Sequence, residues 1–547
     1  MHQYPEKRAV FLFMVIAILN VLPALIGSYY SDFFGDGPIH LYYLQCFFEN
    51  FAHGVIIPKW CGRVNNSLGA PVFTFYFPLA YYASLIFYPF KLLGVTYKTI
   101  LFLSIGLASF GSMLGCYTYL RSFFPPRTAI FCAIFYLYLP YHAEVSVLRI
   151  GFAEAWLLAI FPWLVIYARR LALDNKRSLF VIIPLYALCL LAHTPTALIL
   201  ALGMGIYVLS LSRKIYNSIL YALACIWAMT LLTYYFLPAF YYQAHFLIPA
   251  TSTDFLKDYP NRHPNIQDVT KVFPLIFGTF TTLILLCIYA ARSYILRKKA
   301  LILQRQEAIA WFSVFIVAFV LYLPISRFAY DAFPILEGIL FPWRMQILWL
   351  LPLVFCVGLV HDLTDKRKKV ENDLTLIVIF LACYAFFSSE PQKLKYPYIV
   401  EKQMLYGQVE YHTIWTDESF YDHASLNHLW PDFVYPLTGS STTTLYTYDY
   451  THSITFTTRC ESPRCTIRLH LSYFPIWQLF AQKDIDLFPE AHTGMALVSM
   501  PEGNHSIKLR VCTYNSDTPW WIRAAPLISG ASLLLLLLLL ASLRKKT

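Results

Sequence analysis

Residues 99–143 read TILFLSIGLASFGSMLGCYTYLRSFFPPRTAIFCAIFYLYLPYHA, and this stretch decides the class of fold. Two apolar runs, 99–120 and 128–143, flank a short loop that holds Arg121 and Arg127. About 20 apolar residues cross the hydrocarbon core of a bilayer as a helix. Short basic loops stay on the cytoplasmic side. The stretch therefore reads as a helical hairpin in a membrane, with its turn in the cytoplasm.

The same alternation runs outward in both directions. Basic clusters recur at Lys7-Arg8, Arg169 to Arg177, Arg213-Lys214, Arg292 to Arg305, Lys366 to Lys369 and Arg544 to Lys546. The apolar runs between them are 9–29, 99–120, 128–143, 153–168, 179–192, 195–211, 216–237, 269–291, 308–325, 344–361, 373–388 and 525–543. That predicts an all-α polytopic membrane protein of about twelve spans with both termini cytoplasmic. No small-x-small cleavage site follows the first run cleanly, so it reads as an uncleaved span. Residues 72–93 are apolar enough to cross, but counting them would put Arg121 and Arg127 outside. Pro78 and Pro89 break the stretch, and Tyr76, Tyr81, Tyr82 and Tyr88 suit an interface, so a re-entrant or interfacial helix pair is expected.

Composition agrees. The chain is 58% hydrophobic and 13% charged, against about 45–50% and roughly 25% in soluble domains. The charge of +11 sits mostly in the short clusters between spans, so it is a topology signal and no nucleic-acid signal. Three outer regions are long: 30–98, 238–268 and 389–524. The last carries strand-like runs such as STTTLYTYDYTHSITFTT and CTIRLHLSYF, broken by Gly, Pro and Asn. A small extracytoplasmic β domain is expected there, before the last helix. The division is then 1–388 membrane module, 389–524 β-rich domain, and 525–547 terminal helix with a basic tail. Seven of the twelve cysteines lie in apolar spans, where Cys behaves as a small hydrophobe. Cys460 and Cys465 flank a short turn in the β domain, which a disulfide would close. Cys46, Cys61 and Cys512 have no partner evident from sequence.

Candidate chemistry lies in the outer segments. Asp32, Asp36 and His40 open the first outer loop, and Asp36 and His40 are four apart, on one face of a helix starting at Pro38. They suit a base and a cation at the mouth of a cavity; Asp36 also suits a plain N-cap ahead of Pro38. Arg149 and Glu154 lie between two spans, with His142 and Glu144 just before them. They fit an interfacial ion pair or a functional site at membrane depth. His193, near the end of a span, suits packing or capping as well as binding. Arg344 follows Pro342 at an outer helix end. It can snorkel, or hold a phosphate in its planar fork beside a helix start.

Several of these stretches recur in a recognisable order. They are DGPIHL at 36–41, IPKW at 57–60, GAPVFTFYFPL at 69–79, RIGFAE at 149–154, AHT at 192–194 and FPWR at 341–344. The chain resembles the bacterial membrane proteins labelled 6-pyruvoyl-tetrahydropterin synthase-related. The later stretches SYFPIW at 472–477 and LVSMPEGNHSI at 497–507 resemble the outer β domain of the related YfhO-like proteins. No residue pattern here supports pterin chemistry. These families are similar in layout to the GT-C glycosyltransferases, which use polyprenyl-phosphate sugar donors outside the cytoplasm and carry an acidic residue early in the first outer loop. The resemblance implies a bacterial inner-membrane enzyme with Asp36 as that acidic residue. Its donor would be a polyprenyl-phosphate-linked sugar and its acceptor a glycan, lipid or protein. Asp36 would act as base, and Arg344, with Arg149 or His40, would stabilise the leaving phosphate; Glu154 and His193 complete the set. No cofactor is required. The resemblance leaves room for a divalent metal, although Asp32, Asp36 and Glu154 form no recognisable ligand pattern. The rival expectation is a non-catalytic membrane protein, either a lipid-linked-glycan transporter or an envelope assembly factor. Transporters usually carry internal repeats with paired broken helices, and no convincing repeat is present.

Overall fold

The computed structural model describes residues 6–26, 36–65, 67–212, 214–246, 299–323, 326, 342–363, 413–415, 433–439, 441–448, 451–481, 483–515 and 518–544. Among them, six helices are long and apolar enough to cross a membrane: Lys7–Leu25, Tyr97–Leu120, Phe152–Ala172, Lys176–Ser212, Leu303–Tyr322 and Trp520–Ser542. Two bent pairs also qualify when each is taken as one element. Pro126–Tyr138 with Pro140–Val147 bends by 56°, and Ile215–Leu231 with Thr233–His245 bends by 70°. The protein is thus mainly helical and membrane-like in composition, with a small antiparallel sheet near its C-terminus. The expected spans 269–291 and 373–388, and Asp32, lie outside the described residues.

The α-helices described up to residue 246 frame the site. They are α1 (Lys7–Ile26), α2 (Gly37–Ala52), α3 (Val72–Phe75), α4 (Leu79–Ser84), α5 (Tyr88–Leu92), α6 (Tyr97–Leu120), α7 (Pro126–Tyr138), α8 (Pro140–Ala143), α9 (Phe152–Ala172), α10 (Leu179–Ser212), α11 (Ile215–Leu231) and α12 (Thr233–Tyr242). Between Val72 and Leu92 no helix exceeds six residues. Each proline there interrupts a ladder of hydrogen bonds, so the stretch is a chain of short pieces. The runs expected at 179–192 and 195–211 form α10, which leaves helical geometry at His193 (φ −162°, ψ 96°). Tyr186 Oη donates to the carbonyl of Ala197 at 3.1 Å. In a straight helix those residues would stand about 16 Å apart along the axis, so α10 bends sharply at His193.

A buried polar knot holds the helices at the end opposite the outer loop. Glu307, in the helix Lys299–Tyr322, is fully buried. Its carboxylate accepts from Tyr119 Oη at 2.6 Å, from Tyr207 Oη and from Arg169 Nε at 2.9 Å. Trp311 Nε1 donates to Tyr119 Oη at 2.6 Å. Each donor comes from a different helix or turn, so one carboxylate ties α6, α9, α10 and its own helix together. From sequence, Arg169 was a topology marker alone.

Outside the bundle, β3 (Ser453–Ser472) and β6 (Met495–Val511) pair along their length and form the spine of a six-stranded antiparallel sheet. β1 (Val434–Thr438) and β2 (Ser441–Tyr448) pair with β3, and β4 (Trp477–Phe480) and β5 (Asp486–Pro489) pair with β6. Inward side chains on β3 are Ile454, Phe456, Thr458 and Cys460, then Cys465, Ile467, Leu469 and Leu471. The inward parity switches across an irregularity between Cys460 and Arg464, where β3 advances four residues against two on β6. Cys460 and Cys465, inward on each side of that bulge, form a disulfide with Cα atoms 5.8 Å apart.

A second disulfide joins Cys46 on α2 to Cys61, with Cα atoms 5.2 Å apart. Asn50 brings them together: its side-chain amide donates to the carbonyls of Cys46 at 2.8 Å and Trp60 at 3.0 Å. Trp60 then lies over Gly69, where an added Cβ would fall 2.5 Å from the indole; Gly69 also has φ +79°. The same indole meets the Trp477 ring at 5.1 Å and donates to Tyr448 Oη at 3.2 Å. The outer loop and the sheet therefore share one core. Maleimide labelling of the native protein should leave all four cysteines unmodified and label them only after reduction and unfolding. Modification of Cys46 or Cys61 without reductant would overturn that pairing.

Candidate functional site

Four separate pieces of chain meet at the end of the bundle where α2 starts. The first is the start of α2. Asp36 occupies the N-cap position, with Pro38 in the first turn, but its side chain makes no capping hydrogen bond. Instead Oδ2 accepts from Arg149 Nη1 at 2.9 Å, while the Asp36 amide donates to the Arg149 carbonyl at 2.9 Å. Among the described residues no donor reaches Oδ1, and the side chain is 44% exposed.

The second piece is the turn before α9. Residues Glu144–Leu148 form a π-helical turn, a rare geometry often found at functional sites. Ile150 follows at φ +58°, a region that a β-branched residue enters only at a cost. Burial of its side chain holds it there. Gly151 leaves room for Arg149: a Cβ at this position would lie 3.0 Å from Nη2 and 3.2 Å from Cζ, so the guanidinium would have to shift. The guanidinium folds back over the glycine into a set of carboxylates. It bonds Glu154 Oε2 as well as Asp36, and Nε lies 3.6 Å from Glu144 Oε1. Glu154 is in the first turn of α9, where the helix dipole favours a negative charge.

The third piece is the bend in α10. Thr196 Oγ1 lies 2.8 Å from His193 Nδ1 and donates to Glu154 Oε1 at 3.1 Å. His193 Nδ1 is itself 3.7 Å from that oxygen. The Phe77 ring packs on the imidazole with centroids 4.9 Å apart. The fourth piece is the turn Pro342–Gln346, which presents Arg344. Its Nε stands 3.2 Å from Glu154 Oε1, an ion-pair distance without hydrogen-bond alignment.

Asp36, the Arg149–Glu154 pair, His193 and Arg344 thus belong to one cluster with Glu144 and Thr196. Its rim is Asp36 and Glu144, near half exposure, and its floor is Glu154 and Arg344, at 3% and 9%. His40 is different. Its ring is buried among Tyr43, Tyr76, Tyr81 and Phe152, with Nδ1 2.9 Å from Tyr81 Oη. Burial outweighs the nearby charge of Asp36 and pushes its pKa down to about 4. Burial thus disfavours the cationic form, and the contacts the ring makes here are packing and the Tyr81 hydroxyl. His142 stays apart, with its ring on the Tyr136 carbonyl.

Three carboxylates and two guanidiniums face one another here. Among the described residues the position where these acids converge is taken by the Arg149 guanidinium. Among the described residues no group of three His, Cys, Asp or Glu side chains is arranged to hold one. What the cluster offers is an oriented, accessible carboxylate above a buried, cross-braced floor. From sequence, Thr196 was not a candidate, and Glu144 was noted only beside Arg149 and Glu154. The signal for Thr196 was its spacing of three from His193 across a Pro-containing segment. No family model matches the chain, and no curated protein does either.

Proposed function

We propose that this chain is a membrane glycosyltransferase of GT-C layout, with about twelve spans and both termini in the cytoplasm of a bacterial cell. It moves a sugar from a polyprenyl-phosphate donor to an acceptor hydroxyl on the outer side of the inner membrane. The observation that carries the reading is the meeting of Asp36, Arg149, Glu154 and Arg344 at the outer-loop end of the helices. A protein using these residues as unrelated helix caps and snorkelling groups has no need to bring them together.

The reaction is an inverting displacement. Asp36 Oδ1 takes the acceptor's proton, and the acceptor oxygen forms a bond to the anomeric carbon from the face opposite the phosphate. The bond from that carbon to the phosphate oxygen breaks, and its electron pair leaves with the lipid phosphate. Arg149 orients the base through Oδ2. Arg344 offsets charge growing on the leaving phosphate in a setting of low dielectric. Glu154 holds both guanidiniums in register.

The test uses the full chain in nanodiscs with radiolabelled polyprenyl-phosphate sugars and an acceptor-containing membrane extract. Donor consumption with release of polyprenyl phosphate and inversion at the anomeric carbon is the expected result. Donor binding without any turnover across the sugar panel would make the protein non-catalytic.

A further inference from the structure

Lys59 lies in the outer loop, in the Ile-Pro-Lys-Trp stretch, and its side chain is buried at 7% exposure. Among the described residues nothing accepts a hydrogen bond from Nζ. What faces it is the ring of Tyr235, on α12, with the centroid 5.4 Å away. Tyr235 is itself buried, and its hydroxyl also has no hydrogen-bond partner among the described residues. A buried ammonium is held at a cost unless an opposite charge meets it. An aromatic face returns only part of that cost. The other buried charges described here, Glu154, Glu307 and Arg344, each face an opposite charge. Burial accordingly pushes the Lys59 ammonium down to about 8.

The surroundings identify what completes the pair. Ile56 and Ile57, just before Pro58, are exposed apolar side chains, as are Leu92 and Leu93 at the end of α5. Exposed apolar side chains of this kind suit the surface of a bilayer, and Lys59 follows Ile56 and Ile57 by two or three residues in the chain. α12 packs against α3. The Tyr76 ring beyond α3 meets both His40 and Phe77, and Phe77 touches His193. The Lys59–Tyr235 pair shares no residue with the ion cluster. A tetrahedral oxyanion has enough oxygens to accept from both Nζ and the phenol at once, and its charge suits an ammonium.

We infer that Lys59 Nζ and Tyr235 Oη form a binding site for a phosphate-class oxyanion, either free phosphate or the phosphomonoester headgroup of a lipid at the membrane surface. The site binds whether or not the ion cluster transfers a sugar. Thermal unfolding of the full chain in nanodiscs tests it. One arm titrates inorganic phosphate at constant ionic strength with chloride as control. The other compares phosphatidylcholine discs with and without phosphatidate. The wild type should show a saturable rise in Tm in at least one arm, and the responding arm names the source. Lys59→Met should lose that rise while matching or exceeding the wild-type Tm without anion, because an unpaired charge has been removed. Tyr235→Phe should shift the phosphate or phosphatidate midpoint upward by about tenfold, the loss of one hydrogen bond to a charged group. An equal rise in Lys59→Met, or no rise in the wild type in either arm, overturns the site. A Lys59→Met protein that loses stability while the wild type ignores both anions makes Lys59 a structural cation–π contact.

Discussion

Glu154→Gln should destabilise the protein by about 3–5 kcal/mol, the usual cost of breaking a buried ion pair from one side. Glu154 is the floor of the ion cluster at 3% exposure. Its two oxygens meet Arg149, Arg344, Thr196 and the His193 ring, from three separate stretches of chain. Gln keeps the shape but withdraws the charge that faces two guanidiniums. Arg149 retains Asp36 and Glu144 at the rim, so the loss falls on the inner half of the site. Glu144→Gln is the matched control. It sits at the rim, 43% exposed and 3.6 Å from Arg149 Nε, where a salt bridge contributes about 0–1 kcal/mol. Reversible unfolding in mixed micelles, followed by tryptophan emission, measures both. Equal stability of the two variants would mean that Glu154 is not the organising charge.

The contrast between these two acids explains what was legible in the sequence. Arg149 and Glu154 are five residues apart on one turn and helix start, so their pairing is local and readable. That Asp36 and Arg344 reach the same place depends on how α2, α9, α10 and the turn at Pro342 pack. Spacing does not carry that information, and only the order of the motifs pointed to it. The π-helical turn at Glu144–Leu148 and the left-handed Ile150 were invisible, because neither has a composition of its own. Cys460 and Cys465 were readable since one turn separates them, whereas Cys46–Cys61 depends on Asn50 clasping a returning loop. Apolar length marked the helices, and the break between the runs 179–192 and 195–211 falls at His193, where the backbone leaves helical geometry. Glu307 was passed over because it stands at the edge of an apolar run; its importance comes from Tyr119, Tyr207 and Arg169 arriving from elsewhere.

Asp36→Asn should abolish sugar transfer, with a loss of about 10²–10⁴ in rate, and leave folding near that of the wild type. Both halves of the expectation follow from the geometry. As an N-cap, Asp36 uses its backbone and not its carboxylate, so the cap loses nothing when the side chain changes. Asn is also a preferred residue at that position. Arg149 gives up one partner but keeps Glu154 and Glu144, so two carboxylates remain for the two guanidiniums of the cluster. At 44% exposure the site pays little in desolvation for the exchange. What the amide cannot do is take a proton from an acceptor hydroxyl at neutral pH. Donor affinity should hold, since the phosphate end is served by Arg344. The loss then belongs to the chemical step and would appear in kcat rather than in donor binding. Single-turnover measurement of lipid-phosphate release, alongside the unfolding midpoint of the same preparation, separates the two roles. Wild-type turnover in Asp36→Asn would remove Asp36 as the base. A collapsed midpoint would instead make the Asp36–Arg149 contact a structural clasp, and the case for catalysis at this end of the bundle would fall with it.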